Sequence, residues 1–196
     1  MQNQRLEKQI QFIIATDQVK NVLRQNYIID NTRRENDAEH SWHLALMAII
    51  LFEYRKIKDL DLLKIIKMVI IHDLVEIEAG DSFAYSVIEN MDKRQREEKA
   101  AQNIFGILPE DNKEEMLSLW HEFEALETNE AQFASTLDRL QPLIHNYKTE
   151  ASGWKNYKVR KEDVIERNRS TKEIAPELWR YIEEMIEEIE KKGYFS

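Results

Sequence analysis

The chain has 196 residues, 42% of them apolar, which is enough for one sizeable core and too few for two. A net charge of -9 argues against a dedicated binder of duplex nucleic acid, which would show a basic face. Cysteine is absent, so disulfides, thiolate metal sites and cysteine nucleophiles are excluded. The polar start Met1-Gln2-Asn3-Gln4-Arg5 does not read as a signal peptide, and apolar runs such as 44–52 are too short to span a bilayer. A cytoplasmic protein with no membrane partner is expected.

Glycine occurs four times and proline three, and apolar residues recur at three-to-four spacing almost throughout. That pattern predicts an all-α, single-domain helical bundle over residues 1–196, with no strand. A first helix is expected over 4–24, with Leu6, Ile10, Ile13, Ile14, Val19, Val22 and Leu23 on its inner side. A polar loop over 30–37 leads into a second helix over 38–55. Asp61 is suited to cap a third helix that reaches residue 78 and stops at Gly80. Later helices are expected over 93–105, 112–126, 130–148, 161–169 and 176–192, with Ser152-Gly153-Trp154 as a loop. The last helix sets Leu178, Ile182, Met185, Ile186 and Ile189 against Glu183, Glu184, Glu187 and Glu188, an amphipathic pattern that packs on the body or on a second subunit.

One short segment stands out, His72-Asp73-Leu74-Val75-Glu76, placed after the apolar run 65–71 and followed by Gly80-Asp81. Charged groups at the end of an apolar helix need a counter-charge or a metal, because desolvation costs several kcal/mol. On a helix His72 and Asp73 flank a wedge, and Glu76 lies within it one turn on. An ion above the wedge would take the first two as ligands and leave Glu76 near a bound water. His40, at the end of Glu35-Asn36-Asp37-Ala38-Glu39-His40, and Asp138, which interrupts the apolar face of 133–140, can complete the shell; His43 is a rival for the first position. Two nitrogen and two oxygen ligands suit one divalent transition ion, Mn, Co, Fe, Ni or Zn, better than Mg.

The ordered set His40, His72-Asp73, Asp138 resembles the H…HD…D signature of the HD-domain metal-dependent phosphohydrolases. Arg33-Arg34-Glu35-Asn36 before Glu39-His40-Ser41, and Glu76 with Gly80-Asp81 after the His-Asp pair, are similar to the branch that holds the bacterial 5'-deoxynucleotidases. The Glu-His-Ser context favours His40 over His43. The resemblance covers a core of about 6–148 and leaves about 149–196 as a helical extension. It implies that His40, His72, Asp73 and Asp138 ligate one ion, that Glu76 and Asp81 handle the attacking water and the leaving group, and that Arg33 faces phosphate. It also implies a homodimer.

Two departures bear on the substrate. The deoxynucleotidases carry an arginine and then a tryptophan at the end of the first helix, where this chain reads Arg24-Gln25-Asn26. Arg24 supplies the charge, but the aromatic that helps select the sugar is missing. Ser82-Phe83-Ala84-Tyr85 replaces a proline-containing segment. The expected activity is metal-assisted hydrolysis of a phosphomonoester, most simply a (deoxy)nucleoside 5'-monophosphate. The alternatives are a nucleoside triphosphate or alarmone phosphohydrolase, and a non-catalytic module that uses the metal structurally. The run 92–99 reads first as an exposed mixed-charge helix, with basic residues that reach a substrate phosphate as the alternative, and Trp42, Trp120, Trp154 and Trp179 as core or interface residues.

Overall fold

In the computed structural model, which describes residues 2–86, 92–154 and 157–196, the first helix α1 (Gln2–Thr16) is shorter than its periodicity predicts. Residues Asp17–Asn21 tighten into a 3-10 turn, and Leu23–Tyr27 run extended as β1, antiparallel to β2 (Arg34–Asn36). The expectations of no strand and of a helix through Arg24 are both corrected. Tertiary contacts override a weak helical tail here. Asn26 Nδ2 donates to the Pro142 carbonyl at 3.2 Å, and the backbone of Gln25 and Asn26 lies so close to Gly153 that a Cβ there would sit 3.2 Å from the Gln25 carbonyl oxygen. The segment Ser152–Trp154, expected as a loop, is a 3-10 turn packed on β1.

Helix α2 (Asp37–Leu51) begins with a capping box: Asn36 Oδ1 accepts the Glu39 amide at 3.0 Å while Glu39 accepts that of Asn36. It ends four residues earlier than expected, in a 3-10 turn over Phe52–Tyr54. Asp61 caps α3 (Leu62–Ile71) through the Lys64 amide, as its position predicts. The helix then stops at Ile71. His72–Val75 form a 3-10 turn, one α-turn α4 (Glu76–Ala79) follows, and Gly80 ends it at φ +77°, a conformation that favours glycine.

Helices α5 (Lys93–Phe105), α6 (Glu110–Ala125) and α7 (Asn129–Lys148) complete the frame, and α8 (Lys161–Asn168), α9 (Thr171–Ile174) and α10 (Pro176–Lys191) close one side. Helix α7 contains Pro142, which has no amide to give the Asp138 carbonyl. Helices α2, α3 and α7 pack around Leu44, Ile65, Met68, Phe133, Leu137 and Leu140, all enclosed. Each such side chain contributes about 1.5–3 kcal/mol of transfer free energy.

The apolar stripe of α10 is buried on the chain's own core. Exposed apolar stripes lie elsewhere, on α1 (Leu6, Ile10, Ile13, Ile14) and on α2 (Trp42, Leu46, Ile49, Ile50). Trp120, Trp154 and Trp179 are buried, whereas Trp42 is 66% exposed. Among the described residues, no helix is long and apolar enough to cross a membrane.

Candidate metal centre

The turn after α3 sets the centre. A 3-10 turn rotates successive residues by about 120°, so His72 and Asp73 splay more widely than on an α-helix. Both are buried. His72 Nδ1 donates to the Val69 carbonyl at 3.0 Å, which leaves Nε2 with its lone pair. His40, fully buried in the first turn of α2, and Asp138, in the middle of α7, meet this turn from two sides. His40 Nε2 lies 3.1 Å from Asp138 Oδ1 and 3.8 Å from Asp73 Oδ2, and His72 Nε2 lies 3.2 Å from Asp73 Oδ1 and 3.6 Å from Asp138 Oδ1.

These residues fit a divalent cation. Ligands held about 2.0–2.2 Å from one ion lie about 3–3.5 Å from each other, close to the four gaps found here. His72 Nε2 is buried without a hydrogen-bond partner, in a place where only a proton or a metal would use its lone pair. Burial pushes the His72 imidazole down, but the charges of Asp73 and Asp138 overcome it and lift the group to about 10. Burial works against the charge of Asp73 and Asp138 as well, yet His72 and Arg24 hold Asp73, and His40 and His72 hold Asp138, below the usual carboxylate range. The pocket therefore draws a cation. His40 differs: burial and the Arg24 charge push it down to about 4, so it is neutral and ready to ligate.

Beside the quartet lies a second acidic group. Asp37, Asp73 and Glu76 bring carboxylate oxygens within 4.8 Å of one another. Asp37 is fully buried, and its side chain is hydrogen-bonded to Glu76. Burial and the Asp73 charge raise Asp37 to about 7, and burial with Asp73, Asp37 and Asp81 pushes Glu76 far above the usual range. Such a pair shares a proton. Arg24 offsets part of the charge, donating through Nη1 to Asp73 Oδ2 at 2.6 Å and to Asp37 Oδ1 at 3.1 Å. The sequence reading missed Asp37, because an acid in a helix's first turn is ordinary.

The centre opens into a cleft of about 140 Å³, on whose wall Arg24, Asp73, Glu76, Asp81 and Asp138 all appear. Phe83, Tyr85 and Trp154 supply an aromatic side, and Lys93, Arg139 and Arg167 a cationic one. Arg139 and Arg167 are not marked out by the sequence; Lys93 lies in the run expected first as a solvated helix and, as the alternative, as a source of a cation for the substrate phosphate, and Glu97 in the same run is buried. Arg33 is not brought to the cleft. It lies on the surface with its guanidinium on Glu39, at 2.7 and 2.8 Å. His121 is likewise outside, on Glu98, and Glu122 pairs with Lys64. His43 and His145 stand behind His40 with Glu35.

A family model described as HD domain matches residues 16–179. A human protein named 5'-deoxynucleotidase HDDC2 is 31% identical over 136 residues, 69% of this chain and 65% of that protein, so the match spans slightly under two thirds of the relative's length. A crystal structure of a "predicted metal-dependent phosphohydrolase" from Magnetospirillum magnetotacticum is 41% identical, superposes with a TM-score of 0.95, and covers 100% of this chain and 98% of that one. A conserved hypothetical protein from Pyrococcus furiosus is 28% identical with a TM-score of 0.62, over 93% of this chain and 99% of its own. Because the matched stretch runs from before β1 to within α10 and takes in the turn, both histidines and both carboxylates of the quartet, this chain belongs to the HD domain family.

Proposed function

We propose that the protein hydrolyses the phosphomonoester of a nucleoside 5'-monophosphate, using one divalent transition ion held by His40, His72, Asp73 and Asp138. The observation that carries this is the convergence of two imidazole Nε2 atoms and two carboxylates, 3.1–3.8 Å apart, at the wall of a cleft that also presents Arg24, Glu76 and Asp81. The name of the human relative supports the substrate class. The bound ion would polarise a phosphate oxygen and acidify a water. Arg24 lies close enough to Asp73 to face the same phosphate and offset its developing charge. Glu76, held protonated beside Asp37, is suited to give a proton, while Asp81 lines the cleft as the second carboxylate. Arg33, bound to Glu39 on the surface, has no part in this reading.

The test is phosphate release by protein supplied with Mn or Co from a panel that pairs each deoxynucleotide with its ribose counterpart. The pairing matters because Arg24-Gln25-Asn26 lacks the tryptophan that the deoxynucleotidases place at the end of the first helix. No release from any nucleotide, with Asp73→Ala indistinguishable from wild type, would sink the proposal. Metal analysis of protein as purified identifies the ion.

A second reading, a triphosphate or alarmone substrate, draws on Lys93, Arg139 and Arg167, which line the same cleft beyond Arg24. Pyrophosphate or triphosphate as the product would select it. A cytoplasmic homodimer belongs to the same proposal. It is supported by the exposed apolar stripes of α1 and α2, since patches of that extent on a soluble protein mark interaction surfaces. Mass in solution, for wild type and for Ile49→Glu, checks it.

A further inference from the structure

Behind His40 the interior is polar, and one amide organises it. Gln141 is fully buried on α7, and its two ends face different partners. Its Nε2 donates to Glu35 Oε1 at 2.6 Å and lies 3.2 Å from His145 Nε2 and 3.4 Å from His43 Nδ1. Its Oε1 lies 3.1 Å from His40 Nδ1. The Glu35 carboxylate, an acceptor at 2.6 Å, lies on one side of the amide together with two ring nitrogens, so the amide nitrogen turns toward that carboxylate. The carbonyl oxygen is then left to His40. An acceptor beside Nδ1 requires a proton on Nδ1, and the lone pair falls on Nε2, the atom that faces Asp73 and Asp138.

We infer that Gln141 is a positioning residue for the metal: oriented by Glu35, it holds His40 in the Nδ1–H tautomer with Nε2 directed at the ion. This rests on the ligand role proposed for His40. The two histidines are thereby fixed by different means. His72 uses a carbonyl three residues earlier, at the end of α3, and His40 a side chain 101 residues away. Partners of this kind, which hold a ligating histidine through its other nitrogen, typically alter metal affinity 10–100-fold when removed.

The experiment measures Co affinity by competition with a chelating dye, in the absence of substrate, for wild type, His40→Ala, Gln141→Met and the exchange of Glu35→Gln with Gln141→Glu. Gln141→Met should weaken binding about 10–100-fold. The exchange of Glu35→Gln with Gln141→Glu keeps an acceptor toward His40 and a donor–acceptor pair between positions 35 and 141, and should restore affinity to within about threefold of wild type, a rescue that a purely packing role would not produce. In parallel, two-dimensional 15N NMR of zinc-loaded wild type should show the His40 proton on Nδ1 and the metal on Nε2. If His40→Ala binds Co as tightly as wild type, the ligand reading itself fails. If His40→Ala loses the metal but Gln141→Met keeps wild-type affinity, only the role of Gln141 is overturned. Should Gln141→Met not fold, the wild-type spectrum decides alone, and a metal on Nδ1 refutes the inference.

Discussion

Helices α7 and α10 both lie against the same core, and the side chains they turn inward differ in kind. Helix α10 contributes Leu178, Ile182, Met185, Ile186 and Ile189, with no charged group among them. Helix α7 buries Phe133, Leu137 and Leu140 on one side and Gln141, His145 and Asn146 on another, with Asp138 in that polar sector. Burying apolar surface stabilises a fold, whereas burying charge costs free energy unless something compensates it. Helix α10 is where stability is kept, and α7 carries the polar residues of the candidate metal centre. Two helices of ordinary length thus divide tasks that sequence periodicity alone does not separate.

That division can be broken or sharpened by substitution, beginning with the largest effect. Asp138→Asn, on α7, should lower the proposed phosphatase turnover about 10³-fold, since loss of a ligand removes several kcal/mol of transition-state stabilisation, a far larger effect on activity than any substitution in the apolar stripe of α10. Ile182→Ala, on α10, should do the reverse. It costs about 2–5 kcal/mol in chemical denaturation and leaves turnover of the folded fraction within about twofold.

An intermediate effect is expected at Glu97, which is buried beside Lys93 on the wall of the polar interior and is raised by that burial to about 7. Between the ordinary carboxylate value and 7 the folded protein holds a proton that the unfolded chain has released, so stability falls as pH rises through this window. Glu97→Gln should flatten the fall, by about 1–3 kcal/mol between pH 5 and pH 8 in urea midpoints of metal-free protein. An unchanged slope would place the pH sensitivity elsewhere. Arg33→Ala, on an exposed pair, should change neither stability by more than about 0.5 kcal/mol nor turnover. A large loss of turnover there would show that Arg33 reaches the substrate after all.

Much of the helical frame was legible because its signals are local. Asp61 caps, Gly80 terminates, and the apolar spacing of α10 marks the face that is buried. The set of His40, His72, Asp73 and Asp138 was legible only in part from the residues, which left His43 a rival to His40; the resemblance to the HD-domain signature decided between them. The hairpin was not. Leu23-Arg24-Gln25-Asn26-Tyr27 has no alternation of apolar and polar residues, and its extended form depends on Pro142 and Gly153, more than a hundred residues later. The same limit hid Arg139 and Arg167, whose place on the cleft depends on the packing of α7 and α8, and Gln141, whose importance lies wholly in what surrounds it. Arg33 misled for a related reason: it is adjacent to a residue of β2, but its guanidinium turns to Glu39.

The distances along the chain within the centre have a consequence for how the protein is made. Arg24 and Asp73 are 49 residues apart, His40 and Asp138 98, and Glu35 and Gln141 106. Synthesis delivers the N-terminal end first, so both histidines leave the ribosome well before Asp138 does. A nascent or prematurely ended chain that stops short of Asp138 exposes histidines and carboxylates without the geometry that unites them. Assembly of the centre is therefore a late event, and capture of a tightly held ion would report that translation and folding have both reached the end of α7.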